Sequence, residues 1–131
     1  MIIGAGSAGL ATSYFLTEQN IDHVVLERGD VGNTWDAERW DGFYLVNPNW
    51  AVRLPGFHYM GTEPEGYLSK RQTIDYLKNY AKHFGAPVRT GIDIDSLERD
   101  GDGYVLTTRS GDVIKARCVV VATGAFGVPK T

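Results

Sequence analysis

The sequence is poor in cysteine, in net charge and in long apolar runs. Its 131 residues contain one cysteine, Cys118, which excludes an internal disulfide and a cysteine-rich zinc site. A net charge of -3 at pH 7 gives no broad electrostatic ground for a nucleic-acid partner or an anionic membrane surface. No apolar run approaches the roughly 20 residues of a membrane span, and no basic stretch followed by an apolar segment marks a secretory signal. Internal repeats, low-complexity tracts and a Ser/His/Asp or Cys/His arrangement at readable spacing are also missing. The expectation is one cytoplasmic domain without nucleic-acid or membrane partners. The length suffices for a real core.

What the chain does have is glycine, 16 of them, and a readable order of elements. Residues 1–3 read as the end of a buried strand. Residues 8–20 are helical in pattern, with Leu10, Tyr14 and Leu16 apolar and the small Ala8, Gly9 and Ala11 expected on the packing surface. Asn20 fits the end of that helix. "HVVLE" (23–27) reads as a compact buried strand, completing a right-handed βαβ unit. Residues 28–67 are turn-rich and hold all three tryptophans. A segment of this length is usually functional or disordered, and its aromatic content favours an ordered excursion with short helical turns.

"SKRQTIDYLKNYAKHFG" (69–85) predicts a helix. Ser69 and Gln72 form a capping-box pattern, Ile74, Leu77, Ala81 and Phe84 share a face, and Gly85 and Pro87 end it. Residues 88–90 predict a short strand, followed by alternation at Ile92, Ile94 and Leu97. "DGDG" (100–103) is a tight turn, and residues 104–109 and 112–116 pair around Ser110-Gly111 in a small antiparallel meander. "CVVVATG" (118–124) is expected as an apolar strand of a parallel sheet covered on both faces, with Cys118 a small core residue. The class is α/β: a parallel sheet with a small antiparallel meander.

The chemistry concentrates at Gly4-Ala5-Gly6-Ser7-Ala8-Gly9, a G-x-G-x-x-G pattern between strand and helix. Gly4 permits the tight turn, Gly6 lets a pyrophosphate approach the backbone, and Gly9 lets the helix pack against the strand. Free N–H groups at the helix start, around Ser7 and Ala8, and the positive end of the helix dipole suit an anion. Glu27 lies 18 positions past Gly9, at the end of the second strand, where a carboxylate accepts from ribose hydroxyls. It repels the 2′-phosphate of NADP and leaves NAD and FAD open. Arg28 either stacks on adenine or is simply solvated.

The opening pattern and Glu27, with "GNTW" (32–35), "RWDGFYLVNPNW" (39–50), "RLPGF" (53–57) and "VVVATGAFGVP" (119–129), together resemble the N-terminal part of flavin-containing monooxygenases and related flavoproteins, through essentially the whole chain. That resemblance implies a Rossmann-like FAD/NAD(P)-binding fold. The glycine turn and Glu27 would take the ADP half of FAD. Asn33, Thr34 and Trp35 would approach the pyrophosphate and flavin, and Ala122, Thr123 and Gly124 would lie near the phosphates. The Ile94 backbone would meet the adenine. Asn33 departs from the family's second glycine, an exchange that a left-handed conformation would tolerate. Gly42 and Asn47 stand where a serine or threonine is common.

Trp35 is expected near the flavin and Trp50 in packing, with Trp40 open between the two. Asp41 either bonds the cofactor or caps a turn. His23 and His83 have no recognisable partner, and His58 sits in the aromatic segment. No catalytic acid or base and no metal ligand is assigned. A single cysteine argues against the disulfide reductases that share this fold. The resemblance implies residues 1–131 as a partial FAD-binding domain, with the NADPH domain and C-terminal completion absent. It implies an NADPH-using, FAD-dependent oxidoreductase of monooxygenase type acting on a small organic substrate. A non-catalytic nucleotide-binding module and an NAD-dependent dehydrogenase fragment are the alternatives. An incomplete sheet leaves an edge open, so self-association or a complementing partner is expected.

Overall fold

The computed structural model describes residues 1–124 except Glu38. Its parallel sheet has four short strands, β1 (Ile2–Ile3), β2 (Val25–Leu26), β5 (Val88–Arg89) and β9 (Val120–Val121), in the order β5-β2-β1-β9. The register is fixed at Ile2↔Val25, Ile2↔Val120 and Val25↔Val88. Ile2 and Val25 are fully buried, each contributing roughly 1.5–3 kcal/mol relative to exposure. From β1 the chain steps outward to β2 and β5, then returns to the other side of β1 as β9. That reversal beside β1 is the position where open α/β sheets bind ligands, at the carboxyl ends of the strands.

Helices α1 (Ser7–Glu18) and α3 (Lys70–His83) supply the other wall of the core. Leu10, Leu77 and Tyr80 join Ile2 and Val25 there. Both helices end alike. Asn20 is left-handed (φ 55), and Ile21 N–H reaches the Leu16 carbonyl at 2.9 Å. Gly85 is left-handed (φ 67), and Ala86 N–H reaches the Ala81 carbonyl at 2.9 Å. Each backward bond covers a carbonyl that the last turn leaves open. The expected capping box at α3 is present: the Gln72 N–H donates to Ser69 Oγ at 3.3 Å, and the Ser69 N–H to Gln72 Oε1 at 2.9 Å.

Residues 28–67 form an ordered excursion, as expected. It contains a short helix α2 (Asn33–Ala37), a 3-10 turn (Asn49–Ala51) and a hairpin of β3 (Arg53–Leu54) and β4 (Phe57–His58). The sequence reading did not contain the hairpin, although Pro55-Gly56 with Gly56 at φ 71 is the signature of its turn. Phe57 stacks on Tyr80 at 5.6 Å, and Tyr80 on Tyr14 at 6.1 Å. The Tyr80 hydroxyl donates to the Pro55 carbonyl at 2.7 Å, and the Tyr76 hydroxyl to the Phe57 carbonyl at 2.9 Å. The meander consists of β6 (Ile94–Asp100), β7 (Gly103–Thr108) and β8 (Val113–Ala116), antiparallel in order.

Four expectations about packing are corrected. Ala8 is exposed, because within the first turn of α1 Ser7 and Ala8 face outward while Gly9 and Leu10 carry the packing. Trp50 is 54% exposed, since the 3-10 turn buries Asn49 and turns Trp50 outward. "CVVVATG" yields only the two-residue β9, with β1 as its one partner among the described strands; Val121 is 60% exposed. Cys118 lies before that strand and is exposed, so it is not a core residue.

Candidate functional site

The glycine turn leaves β1 at the reversal point of the sheet. Gly4 has φ 108, and a Cβ there would overlap the Ala122 carbonyl; a Cβ at Gly9 would overlap the Gly4 carbonyl. These two glycines are therefore required by the protein's own backbone. At Gly6 a Cβ would meet nothing within 4 Å. Nothing in the folded chain needs a glycine there, and the open space lies beside the start of α1. The first-turn N–H groups of a helix lack intrahelical partners, and the exposed Ser7 and Ala8 carry two of them. This is the shape and polarity of an anion cradle. A pyrophosphate fits it.

Glu27 follows β2 and is 8% exposed. Its Oε2 accepts from the Ala5 N–H at 2.8 Å and its Oε1 from the Gly29 N–H at 3.0 Å. Its backbone is bonded on both sides, its N–H to the Arg89 carbonyl at 2.9 Å and its carbonyl to the Ile92 N–H at 3.0 Å. Ile92 in turn places Ile94, the first residue of β6, within two residues of Glu27's backbone partner. Arg28 is exposed. Ala122, half-buried, is held to the Ile3 carbonyl by its N–H at 2.8 Å, and Thr123 and Gly124 follow it into solvent. The structure thus brings Gly4, Gly6, Gly9, Glu27 and Ala122 to one end of the sheet. Residues 125–129 of the quoted "VVVATGAFGVP" lie outside the described residues.

Asn33, Thr34 and Trp35 open α2. The left-handed position in this segment is Gly32 (φ 79), whose backbone conformation favours glycine and which lies beside Ile74. Asn33 is not left-handed, which corrects the conformational reason given for its exchange. Instead its side chain occupies the space over Gly29, where a Cβ would overlap it. Trp35 is half-buried against Phe43 at 5.4 Å, with the Arg39 guanidinium 4.8 Å from its ring. Trp40 is 68% exposed and meets Phe43 edge-on. Asp41 accepts from Lys70 Nζ at 3.2 Å, the same ammonium that donates to the Arg39 carbonyl at 3.1 Å.

Sequence reasoning missed Ala5 and Gly29, the two amides on Glu27, and Lys70, the post under the tryptophan segment. Ala5 and Gly29 act through backbone atoms and leave no side-chain signal. Lys70 follows the Ser69 cap directly, and that placement was its only mark. His23 has partners after all. Its Nδ1 lies 2.8 Å from the Ile21 carbonyl, which can only accept, so Nδ1 carries a proton, and Nε2 is hydrogen-bonded with Ser13 Oγ at 2.7 Å. His83 lies 5.2 Å from the Phe57 ring. His58 is exposed. No helix among the described residues is long and apolar enough to cross a membrane.

Comparison with known proteins agrees with this geometry. A CzcO-like oxidoreductase of Geobacillus kaustophilus is 36% identical over 130 residues, covering 98% of this chain and 36% of its own length. A probable indole-3-pyruvate monooxygenase of Arabidopsis thaliana, YUCCA9, is 36% identical over 130 residues, covering 95% of this chain and 31% of its own length. Among solved structures, a flavin-containing monooxygenase from Stenotrophomonas maltophilia superposes with a TM-score of 0.85 at 26% identity, over 99% of this chain and 39% of that one. The chain thus spans about a third of the length of the curated relatives it matches. Residues 1–131 match the family described as pyridine nucleotide-disulphide oxidoreductase throughout, and the chain belongs to that family.

Proposed function

We propose that this chain is the FAD-binding portion of a flavin-dependent, NAD(P)H-using oxidoreductase of monooxygenase type that acts on a small organic substrate. The observation that carries the reading is the glycine turn, in which Gly4 and Gly9 are demanded by the backbone and Gly6 opens on empty space beside α1. The likeness to a flavin-containing monooxygenase supports the flavin over NAD alone.

In this reading Gly4, Gly6, Ser7, Ala8 and Gly9 take the pyrophosphate, with Ala122, Thr123 and Gly124 beside it. Glu27 takes the ribose hydroxyls, Arg28 and the Ile94 backbone the adenine side, and Asn33, Thr34 and Trp35 the flavin side. Bound FAD supplies two-electron chemistry between NADPH and a substrate. The chain's part is to hold and orient that group. Among the described residues the outer edge of β9 pairs with no strand, which also favours self-association or a complementing partner, because an unpaired strand edge is a template for pairing. Sedimentation velocity tests this: a concentration-independent monomer overturns it.

Titration of the purified chain with FAD tests the main reading. Uptake of FAD with flavin absorption at about 450 nm, lost in Gly6→Val while the far-UV circular dichroism is kept, is the expected result. No uptake, or tighter binding of NAD than FAD, overturns it. The alternative reading is a binding module without turnover. Anaerobic NADPH separates the two: bleaching of the bound flavin indicates an enzyme, and unchanged absorption a module.

A further inference from the structure

We infer that Glu27 is a positioning strut of the nucleotide cradle as well as a ligand for it, ordering the glycine turn before any nucleotide arrives. The inference rests on the cradle reading above and deepens it. A carboxylate reserved for ribose would face open solvent in a chain without ligand. Here it is 8% exposed, and each of its oxygens is already bonded to a backbone amide of a different turn. One amide belongs to Ala5, fully buried in the middle of the glycine turn after β1. The other belongs to Gly29, in the turn after β2.

The same residue's backbone joins β5 through Arg89 and the approach to β6 through Ile92. Glu27 therefore ties four segments of the site together at one point. Bonds from backbone N–H to an ionised oxygen are among the stronger ones in proteins, and removing the acceptor leaves buried donors unsatisfied. Each carboxylate oxygen still has acceptor capacity after one bond, and this remainder is what a ribose cis-diol would use. It follows that replacing Glu27 weakens binding of any phosphate ligand at this turn, whether or not the ligand carries ribose hydroxyls. Glutamine keeps the volume but offers only one acceptor; its NH₂ group confronts an amide that needs an acceptor.

The test uses the full chain in two measurements. Amide hydrogen exchange without nucleotide should show Ala5 and Gly29 exchanging about ten-fold or more slowly than Ser7 in the wild type. That protection should vanish in Glu27→Gln while Val25 stays protected. Calorimetry should show Glu27→Gln weakening 2′,3′-dideoxy-ADP by a factor of about ten, through the strut alone, and ADP by at least that factor. Wild-type Ala5 exchanging as fast as Ser7 overturns the strut, and so does a Glu27→Gln variant that weakens ADP alone. Should Glu27→Gln fail to fold, the wild-type exchange rates still decide. Should the wild type bind neither nucleotide, the cradle reading falls while the exchange rates continue to test the strut.

Discussion

The glycine turn and the aromatic excursion belong to the same fold, but different atoms hold them. The turn at residues 4–9 is defined by backbone against backbone: Gly4 against the Ala122 carbonyl, Gly9 against the Gly4 carbonyl, and the Ala5 amide on Glu27. The excursion is defined by side chains that reach across the sequence, with Phe57, Tyr76 and Tyr80 bonding or stacking over intervals of about 20 residues. A backbone-defined site tolerates almost no added atom. A side-chain-defined one tolerates atoms but depends on burial and pH.

The largest effect that would break this contrast is at the turn. Gly9→Ala should cost on the order of 3 kcal/mol or more, because its Cβ has only backbone to displace. Gly6→Ala should change stability by about 0.5 kcal/mol or less, since its Cβ meets nothing. Urea unfolding of the two variants measures the difference, and equal losses would dissolve the distinction between required and open glycines.

Next comes pH at the excursion. Burial, then the neighbouring Tyr14 and Tyr76, pushes the Tyr80 hydroxyl up to about 12 from an ordinary 10.0. The unfolded chain releases this proton near pH 10 and the folded chain keeps it to about 12. The native state thus holds more protons in that window, and stability falls as pH rises through it. The loss should be on the order of 2 kcal/mol. Thermal unfolding between pH 9 and 12 shows it, and Tyr80→Phe should flatten the slope while costing about 1 kcal/mol for the bond to Pro55. A variant with the wild-type slope would place the titration elsewhere.

Smaller effects sharpen the boundary between the regions. Ser69→Ala removes the cap of α3, the helix that carries the excursion, and should cost about 1 kcal/mol. Smallest is Lys78→Ala. It breaks an exposed ion pair with Asp30 at 3.2 Å and should cost about 0.5 kcal/mol or less, with 0.5 M salt abolishing the difference. Asp30 should titrate below the usual carboxylate range even so, because the Val31 amide is the main cause of its lowered value and Lys78 the second; NMR titration of its carboxyl checks this.

The two regions also differ in how far the sequence disclosed them. The βαβ unit, the Asn20 helix end and the Ser69/Gln72 box follow from neighbours within a few positions, and all three are present. So are the meander and the glycine turn. The motif assigns Gly6 and Gly9 different tasks, and the fold gives the physical difference: a Cβ at Gly9 would strike backbone, while one at Gly6 would meet only open space. The hairpin at Pro55-Gly56 was written in a two-residue turn signal overlooked among many turn residues. Trp50 and Cys118 were misplaced because apolar character says nothing of which side of a strand or turn is covered. The bonds of Glu27 to Ala5 and Gly29 involve main-chain amides, which every residue but proline possesses, so no choice of side chain advertises them.

Helix α1 touches both regions. At one end Ser7 and Ala8 border the open glycine turn. Further along, Tyr14 lies under the hairpin so closely that a Cβ at Gly56 would overlap its ring. Twelve residues make a rod about 18 Å long, stiff along its axis. The hairpin and the glycine turn, far apart in the sequence, thus rest against the same stiff element.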